Sequence, residues 1–540
     1  MASSGSPTTD ATGRETWTSS TGFILAAIGS AVGLGNIWRF PGVAYESGGG
    51  AFLIPYLVAL LTAGIPILFL DYAIGHRYRA AAPLSYRRMS KPAETLGWFQ
   101  ILLSFVIAVY YAAVIAWSLS YFVYAFDLRW GEDTLAFFTG DHLQVGDPEI
   151  STTLVPNVAI PLVLVWIAVM VVIALGVANG VQKVNVVFIP LLVVAFAGLV
   201  VRAVTLPGAL DGLDAFFTPN WGALTDPGVW IAAYSQIFFS LSIAFGIMVT
   251  YASYQRRKAN MTSSGLVVAF ANSSFEILAG IGVFATLGFF ARQQATTVDQ
   301  LEGLSGPILS FVTFPAVISE MPGGNFFGML FFGSLVLAGF TSITSILLGV
   351  AASVSEKFGL SQRMSAIAVC GTCALLSIAL FSTTSGLIAL DTVDQWANNI
   401  GIVASAIVMA ITVVWVLRKG TVLRRHLNAV STFKVGGLWI GLIGVLAPLV
   451  LGYMLFERVR TLLTEGYEGY PGWYLSLFGW GMIGLVVVGA VLLTLVPWRG
   501  RDDPGFTPWP PLPEEPASVQ ARASGSDPDA PDLPRQEDPR

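Results

Sequence analysis

The chain has 540 residues, of which 54% are hydrophobic and only 11% charged, with a formal net charge of −5 and a mean hydropathy of +0.70. A soluble domain carries about 25% charged residues; this chain cannot cover a water-facing surface of its size, and lipid is the solvent that asks for no such cover. No basic stripe points to nucleic acid, and the small acidic excess, concentrated in the tail, names no partner.

Residues 1–17 form a polar N-terminal segment that does not lead into the short apolar core and cleavage site of a signal peptide. Twelve runs then follow, each long and apolar enough for a spanning helix of about 20 residues: 18–40, 51–75, 97–126, 158–178, 183–203, 229–254, 263–291, 326–355, 363–381, 384–417, 435–456 and 473–497. They are too continuously apolar for the alternation of a barrel strand. The fold class expected is therefore all-α and polytopic. Of the segments between spans, 127–157 and 292–325 are long. The second carries Gly303, Gly306 and Pro307 and then an apolar stretch through Ile318, which is expected to fold back as a short helical hairpin. With the N-terminus inside, the internal loops hold sixteen Lys and Arg residues, among them Arg87, Arg88, Lys91, Arg256, Arg257, Arg424 and Arg425. The external loops hold only Arg129, Arg202, Arg292, Arg458 and Arg460. Positive charge stays on the cytoplasmic side, so both termini are expected there, at the cell membrane. The tail, 499–540, is rich in Pro, Asp, Glu and Ser and is expected to be disordered.

Cys370 and Cys373 share one apolar run and have no second pair with which to bind metal. His76, His142 and His426 fall between apolar runs, in polar loops, which argues against a catalytic zinc or a histidine relay at membrane depth.

The first run reads Gly29-Ser30-Ala31-Val32-Gly33-Leu34-Gly35-Asn36-Ile37-Trp38-Arg39-Phe40-Pro41. Three glycines in seven residues weaken a helix, and an unwound backbone survives in lipid only where it lines a protected cavity. Close helix packing accounts for Gly29 and Gly33 but not for Asn36 and Arg39 beside them; a charge at membrane depth points to function. The sixth run has its own irregularity, Gln236-Ile237-Phe238-Phe239-Ser240-Leu241-Ser242-Ile243-Ala244-Phe245-Gly246. Interruptions at corresponding places in two halves are the best sequence pointer to a midplane substrate site.

These segments, with Arg14-Glu15-Thr16-Trp17, Gly48-Gly49-Gly50-Ala51-Phe52, Tyr110-Tyr111, Tyr251-Ala252-Ser253-Tyr254, Ala338-Gly339-Phe340-Thr341-Ser342 and Asp391-Thr392-Val393-Asp394, occur in an order that resembles the neurotransmitter:sodium symporters, their bacterial leucine-transporter branch in particular. The resemblance covers roughly residues 14–415; the last two spans match in hydropathy alone. It implies two inverted five-helix repeats, 18–203 and 229–417, with helices 1 and 6 broken, and two additional helices within 435–497.

The resemblance further implies a sodium-coupled symporter with two Na⁺ sites. The first is carried over onto Ala31, Asn36, Ser240 and Asn272, completed by the substrate carboxylate. The second falls on the carbonyls of Gly29, Val32 and Ala338 and the hydroxyls of Thr341 and Ser342. Hard cations take such oxygen ligands. Taken singly, Thr341 and Ser342 read as back-bonding to their own helix, and Asn272 as an interhelical hydrogen bond. The substrate carboxylate falls to Tyr111 and the N–H groups of Leu34 and Gly35, and the side chain to a pocket of Ile107, Phe239, Ser242, Ala244, Phe245 and Ile346. Ala244 stands where the branch has glycine and Ser30 where it has asparagine; the added methyl favours a small or medium apolar amino acid. The outer gate is Arg39 with Asp394 and Gln236, and the inner gate Arg14 with Glu356, supported by Trp17 and Tyr254. Glu276 occupies the place where animal relatives have a serine that helps to hold chloride. With Tyr56, Gln236 and Ser240 around it, it implies a fixed charge in place of the mobile one and hence chloride-independent transport. Protonation of Glu276 on the empty return would give proton antiport. A channel would need a continuous polar pore, and a membrane enzyme a nucleophile–base pair or metal cluster, which the sequence does not offer. A sensor that binds the amino acid without moving it is distinguished only by flux.

Overall fold

The computed structural model describes residues 15–301, 306–500 and 506–511. Arg14, and with it the expected Arg14–Glu356 pair, lies outside the described residues. Among these, ten helices are long and apolar enough to cross a membrane: Gly50–Tyr78, Lys91–Tyr124, Pro156–Ala174, Val177–Val204, Met261–Gln293, Gly324–Phe358, Gln362–Phe381, Gly386–Val416, Gly437–Thr464 and Gly472–Leu495. Ser20–Ala31 and Leu34–Glu46 together make an eleventh, bent by 63°. In the place of the sixth predicted span, helices Pro227–Ser240 and Ile247–Ser253 flank the nonhelical residues 241–246. The chain is thus all-α, and each of the twelve apolar runs meets a helix or a helix pair.

Local signals explain where the helices begin and end. Ser19 caps the first helix by accepting the Gly22 N–H at 3.0 Å. Asp226 caps the sixth span ahead of Pro227, which loses nothing by lacking an N–H at that position. Gly359, at φ +70°, closes Gly324–Phe358, its N–H reaching Ser355 O at 2.9 Å. The helices Lys91–Tyr124, Met261–Gln293 and Gly324–Phe358 are largely buried and enclose the two interruptions, while Gly472–Leu495 faces outward over most of its surface.

Three features differ from the reading of the sequence. Among the described residues, the segment after the seventh span forms a short 3-10 turn, Val298–Gln300, and one helix, Gly306–Glu320, in place of the expected hairpin. Its Phe311 wedges between Trp117, Phe138 and Trp38, with ring centroids 5.8, 5.4 and 6.1 Å away. The histidines are not loop residues in water: all three are buried. His76 lies within Gly50–Tyr78, and its Nδ1 is 2.9 Å from Nε2 of His426, on helix Gly420–Val430. The helix carrying His76 continues beyond its apolar run, and His426 is on the inner face of a short helix packed beneath it; hydropathy alone shows neither. The start of the tail is held on the bundle. Arg499 and Gly500 donate to Lys357 O, Arg77 donates to Pro510 O at 3.3 Å, and the Arg88 guanidinium lies 3.8 Å from the Phe506 ring centroid.

Candidate functional site

The first helix ends at Val32, whose N–H still reaches Ile28 O at 2.6 Å, and Gly33 is extended. The next helix restarts at Leu34 because Asn36 folds its side chain back: Oδ1 accepts the Gly33 N–H at 2.8 Å. The sixth span breaks by a different route. Ser242 (φ +53°) and Ala244 (φ +67°) are left-handed, followed by Gly246 (φ +84°). Left-handed backbone is costly for residues with a Cβ, so it persists only where surroundings enforce it. Asp71 Oδ2 accepts the Ala244 N–H at 2.9 Å, Ser405 donates to Ala244 O at 2.5 Å, and Ser104 donates to Phe245 O at 2.6 Å. The two breaks touch: Ser30 O accepts the Ser242 hydroxyl at 2.9 Å and the Ser342 hydroxyl at 3.2 Å.

Between them lies a cavity of about 30 Å³ lined by Ser30, Ala31, Gly33, Gly35, Asn36, Ile107, Tyr111, Phe239, Ser242, Phe245, Ser342, Ile346 and Asn398. Most of the predicted substrate residues are here; Leu34 and Ala244 are not among the lining. Leu34 instead donates its N–H to the Tyr111 hydroxyl at 3.0 Å. Ala244 is fully buried and acts through its backbone. The Phe239 ring lies directly on Gly35, where an added Cβ would come within 2.1 Å of the ring, so only glycine fits.

Three of the four residues expected at the first sodium site, Asn36, Asn272 and Ser240, form one polar chain. Asn36 Nδ2 donates to Asn272 Oδ1 at 2.8 Å, and Asn272 Nδ2 to Ser240 Oγ at 3.0 Å. One turn beyond Asn272, the Glu276 carboxylate is 0% exposed. Its Oε1 accepts Gln236 Nε2 at 2.5 Å, and its Oε2 accepts the Tyr56 hydroxyl, which also lies 2.8 Å from Ser273 Oγ. Of the second set, Thr341 Oγ1 back-bonds within its own helix, to Leu337 O at 3.1 Å and Ala338 O at 3.0 Å, and Ser342 donates to Ser30 O, next to Gly29.

Of the residues expected to form the outer gate, none is hydrogen-bonded to another among the described residues. Among the described residues, Arg39 lies over the Phe239 ring, 4.7 Å from its centroid, and makes no direct ion pair. Asp394 Oδ1 accepts Asn398 Nδ2 at 2.7 Å, and Gln236 is turned to Glu276. At the opposite end, Trp17 donates to Tyr251 O at 3.0 Å and, through its N–H, to Tyr254 O at 3.1 Å, while Glu356 accepts the Ala81 N–H at 3.0 Å.

Asp71, Asn398, Ser104 and Ser405 escaped the sequence reading. Asp71 carried a usable signal, a carboxylate inside an apolar run, by the same rule that singled out Glu276. The serines gave none, since hydroxyls are commonplace in spanning helices.

Comparison with known proteins agrees with this geometry. The model of the sodium:neurotransmitter symporter family matches residues 14–144 and 131–499. The chain is 40% identical over 485 residues to an uncharacterized sodium-dependent transporter of Methanocaldococcus jannaschii, covering 89% of this chain and 97% of that one. It is 29% identical to the sodium- and chloride-dependent taurine transporter of Rattus norvegicus, covering 90% and 86%. The crystal structure of MhsT in complex with L-phenylalanine aligns with a TM-score of 0.72 and 31% identity, over 83% of this chain and all of that one. This chain is a multi-pass membrane protein that belongs to the sodium:neurotransmitter symporter family.

Proposed function

We propose that the protein imports a small or medium apolar amino acid by alternating access, coupled to two sodium ions and independent of chloride. The observation that carries this reading is the cavity between the two breaks, walled by Ile107, Phe239, Phe245 and Ile346 and edged by backbone and hydroxyl oxygens. Apolar walls suit an apolar side chain and penalise a charged one. The bound L-phenylalanine of MhsT supports an amino acid as the substrate class. At about 30 Å³ the cavity has room for a water molecule or two, so it widens as substrate enters. Phe239 then lifts from Gly35, and Tyr111 releases the Leu34 N–H to the carboxylate.

In this reading the carboxylate completes the first sodium shell with Ala31, Asn36, Ser240 and Asn272. The second ion sits among Gly29, Val32, Ala338, Thr341 and Ser342. Both termini face the cytoplasm. The Arg39–Asp394 pair closes when the outer side is shut, and the Arg14–Glu356 pair when the inner side is. Glu276 supplies the negative charge beside the first sodium that a bound anion would otherwise supply.

Uptake of labelled alanine, valine, leucine and phenylalanine into proteoliposomes tests the reading. Sodium is expected to be required and potassium not to replace it, and gluconate in place of chloride is expected to change nothing. Glu276→Ser is expected to make uptake depend on chloride. Equal uptake in potassium alone would refute the coupling; a chloride requirement in the wild type would refute the role of Glu276.

A further inference from the structure

Asn185, three residues into helix Gln182–Val204, is 0% exposed. Its Nδ2 donates to Val181 O at 2.8 Å, which fixes which end of the amide is oxygen. Among the described residues that oxygen, Oδ1, accepts no hydrogen bond. It abuts Gly29: a methyl added there would come within 1.9 Å of it. An amide oxygen left without a donor in a buried place is destabilising, and a weak Cα–H···O contact recovers only part. An apolar residue would fill the space without that cost. A buried neutral oxygen with free lone pairs, set against a glycine whose carbonyl is assigned to a sodium ion, is what a hard cation takes as a ligand.

One turn earlier on the same helix Gln182 lies on Gly22, but it presents its amide nitrogen to that glycine where Asn185 presents its oxygen. Its Oε1 accepts the Thr18 N–H at 3.1 Å, and its Nε2 donates to the Thr18 hydroxyl. Beyond it, Glu15 Oε2 accepts the Val177 N–H at 2.8 Å, at the edge of an open cavity shared with Asn179, Lys183, Gln362 and Arg363. Of the amide oxygens of Gln182 and Asn185, that of Asn185 is the one without a donor among the described residues.

We propose that Asn185 Oδ1 is a sodium ligand of this chain: it takes the second ion as the Gly29 carbonyl lets go. This rests on the second sodium site proposed above. The test is the sodium dependence of amino-acid uptake by the full chain in proteoliposomes, together with the sodium-induced rise in melting temperature in detergent. Asn185→Ala is expected to weaken apparent sodium affinity by at least about tenfold and to shrink the sodium-induced rise in melting temperature. Asn185→Asp, which keeps the shape and adds charge, is expected to tighten sodium binding and to slow net uptake more than exchange. If Asn185→Ala does not fold, the aspartate variant decides. Wild-type sodium dependence in the folded variants overturns the proposal. Thr341→Ala separates the two levels: if it too leaves sodium dependence unchanged, the second site is misplaced; if it alone weakens sodium, only the role of Asn185 falls.

Discussion

The two breaks meet at one cavity but are made in opposite ways. The first is written in its own sequence: Gly33 is extended, no residue from Ser30 to Ile37 is left-handed, and the restart is capped by Asn36 three residues on. The sixth is imposed from outside. Two side-chain-bearing residues, Ser242 and Ala244, sit in left-handed backbone, at a cost of roughly 1–2 kcal/mol each. Asp71, Ser405 and Ser104, from three other spans, hold the freed groups. A break that caps itself can move as a unit with little penalty; a strained break held by neighbours is tied to whatever those neighbours do.

The sharpest way to break this comparison is Asp71→Ala. It removes the acceptor from a buried N–H, a loss on the order of 1–3 kcal/mol, and is expected to lower the melting temperature and cut uptake more than about tenfold. Wild-type stability and uptake would show that the sixth break needs no outside support. Ala244→Gly is expected to act in the opposite direction and by less, adding up to about 1 kcal/mol of stability by relieving the left-handed strain. Denaturant or thermal unfolding reads this directly, and a loss of stability would mean that the methyl is packed to advantage. A pH-dependent effect lies away from both breaks. His142, in the segment after the third span, is held by burial at a pKa of about 4 against an ordinary 6.5. Above about pH 6.5 it is neutral folded or unfolded, and the fold keeps its full stability. As pH falls from there toward 4 the unfolded chain gains the proton first, so stability declines. The melting temperature is expected to fall over that window and to fall less in His142→Phe; an unchanged slope would place the acid sensitivity elsewhere.

The spans were legible because long apolar runs have few alternatives, and the first break because its glycines lie beside Asn36 and Arg39. The sixth break was weaker in the sequence: Ser242, Ala244 and Gly246 look unremarkable, and what bends them is the carboxylate of Asp71, far off in the chain. Asn398 and Asn185 were silent for the same reason, since an amide in a spanning helix signals function only once its partners, or their lack, are in view. The family resemblance supplied residues that periodicity could not, such as Tyr111 and Ser342.

Buried Glu94 gathers a different kind of consequence. It accepts Lys357 Nζ at 2.6 Å, Arg87 at 2.9 Å and the Trp498 indole at 3.0 Å. The eighth span, the start of the third and the chain leaving the twelfth are thereby joined at one carboxylate. Anyone shortening the protein for crystallisation or fusing a reporter to its end should treat the last apolar residue as the wrong place to cut. A chain ended at Val496 leaves Lys357, Arg87 and Trp98 to share Glu94 without its fourth donor, whereas one ended after Pro511 keeps that junction whole.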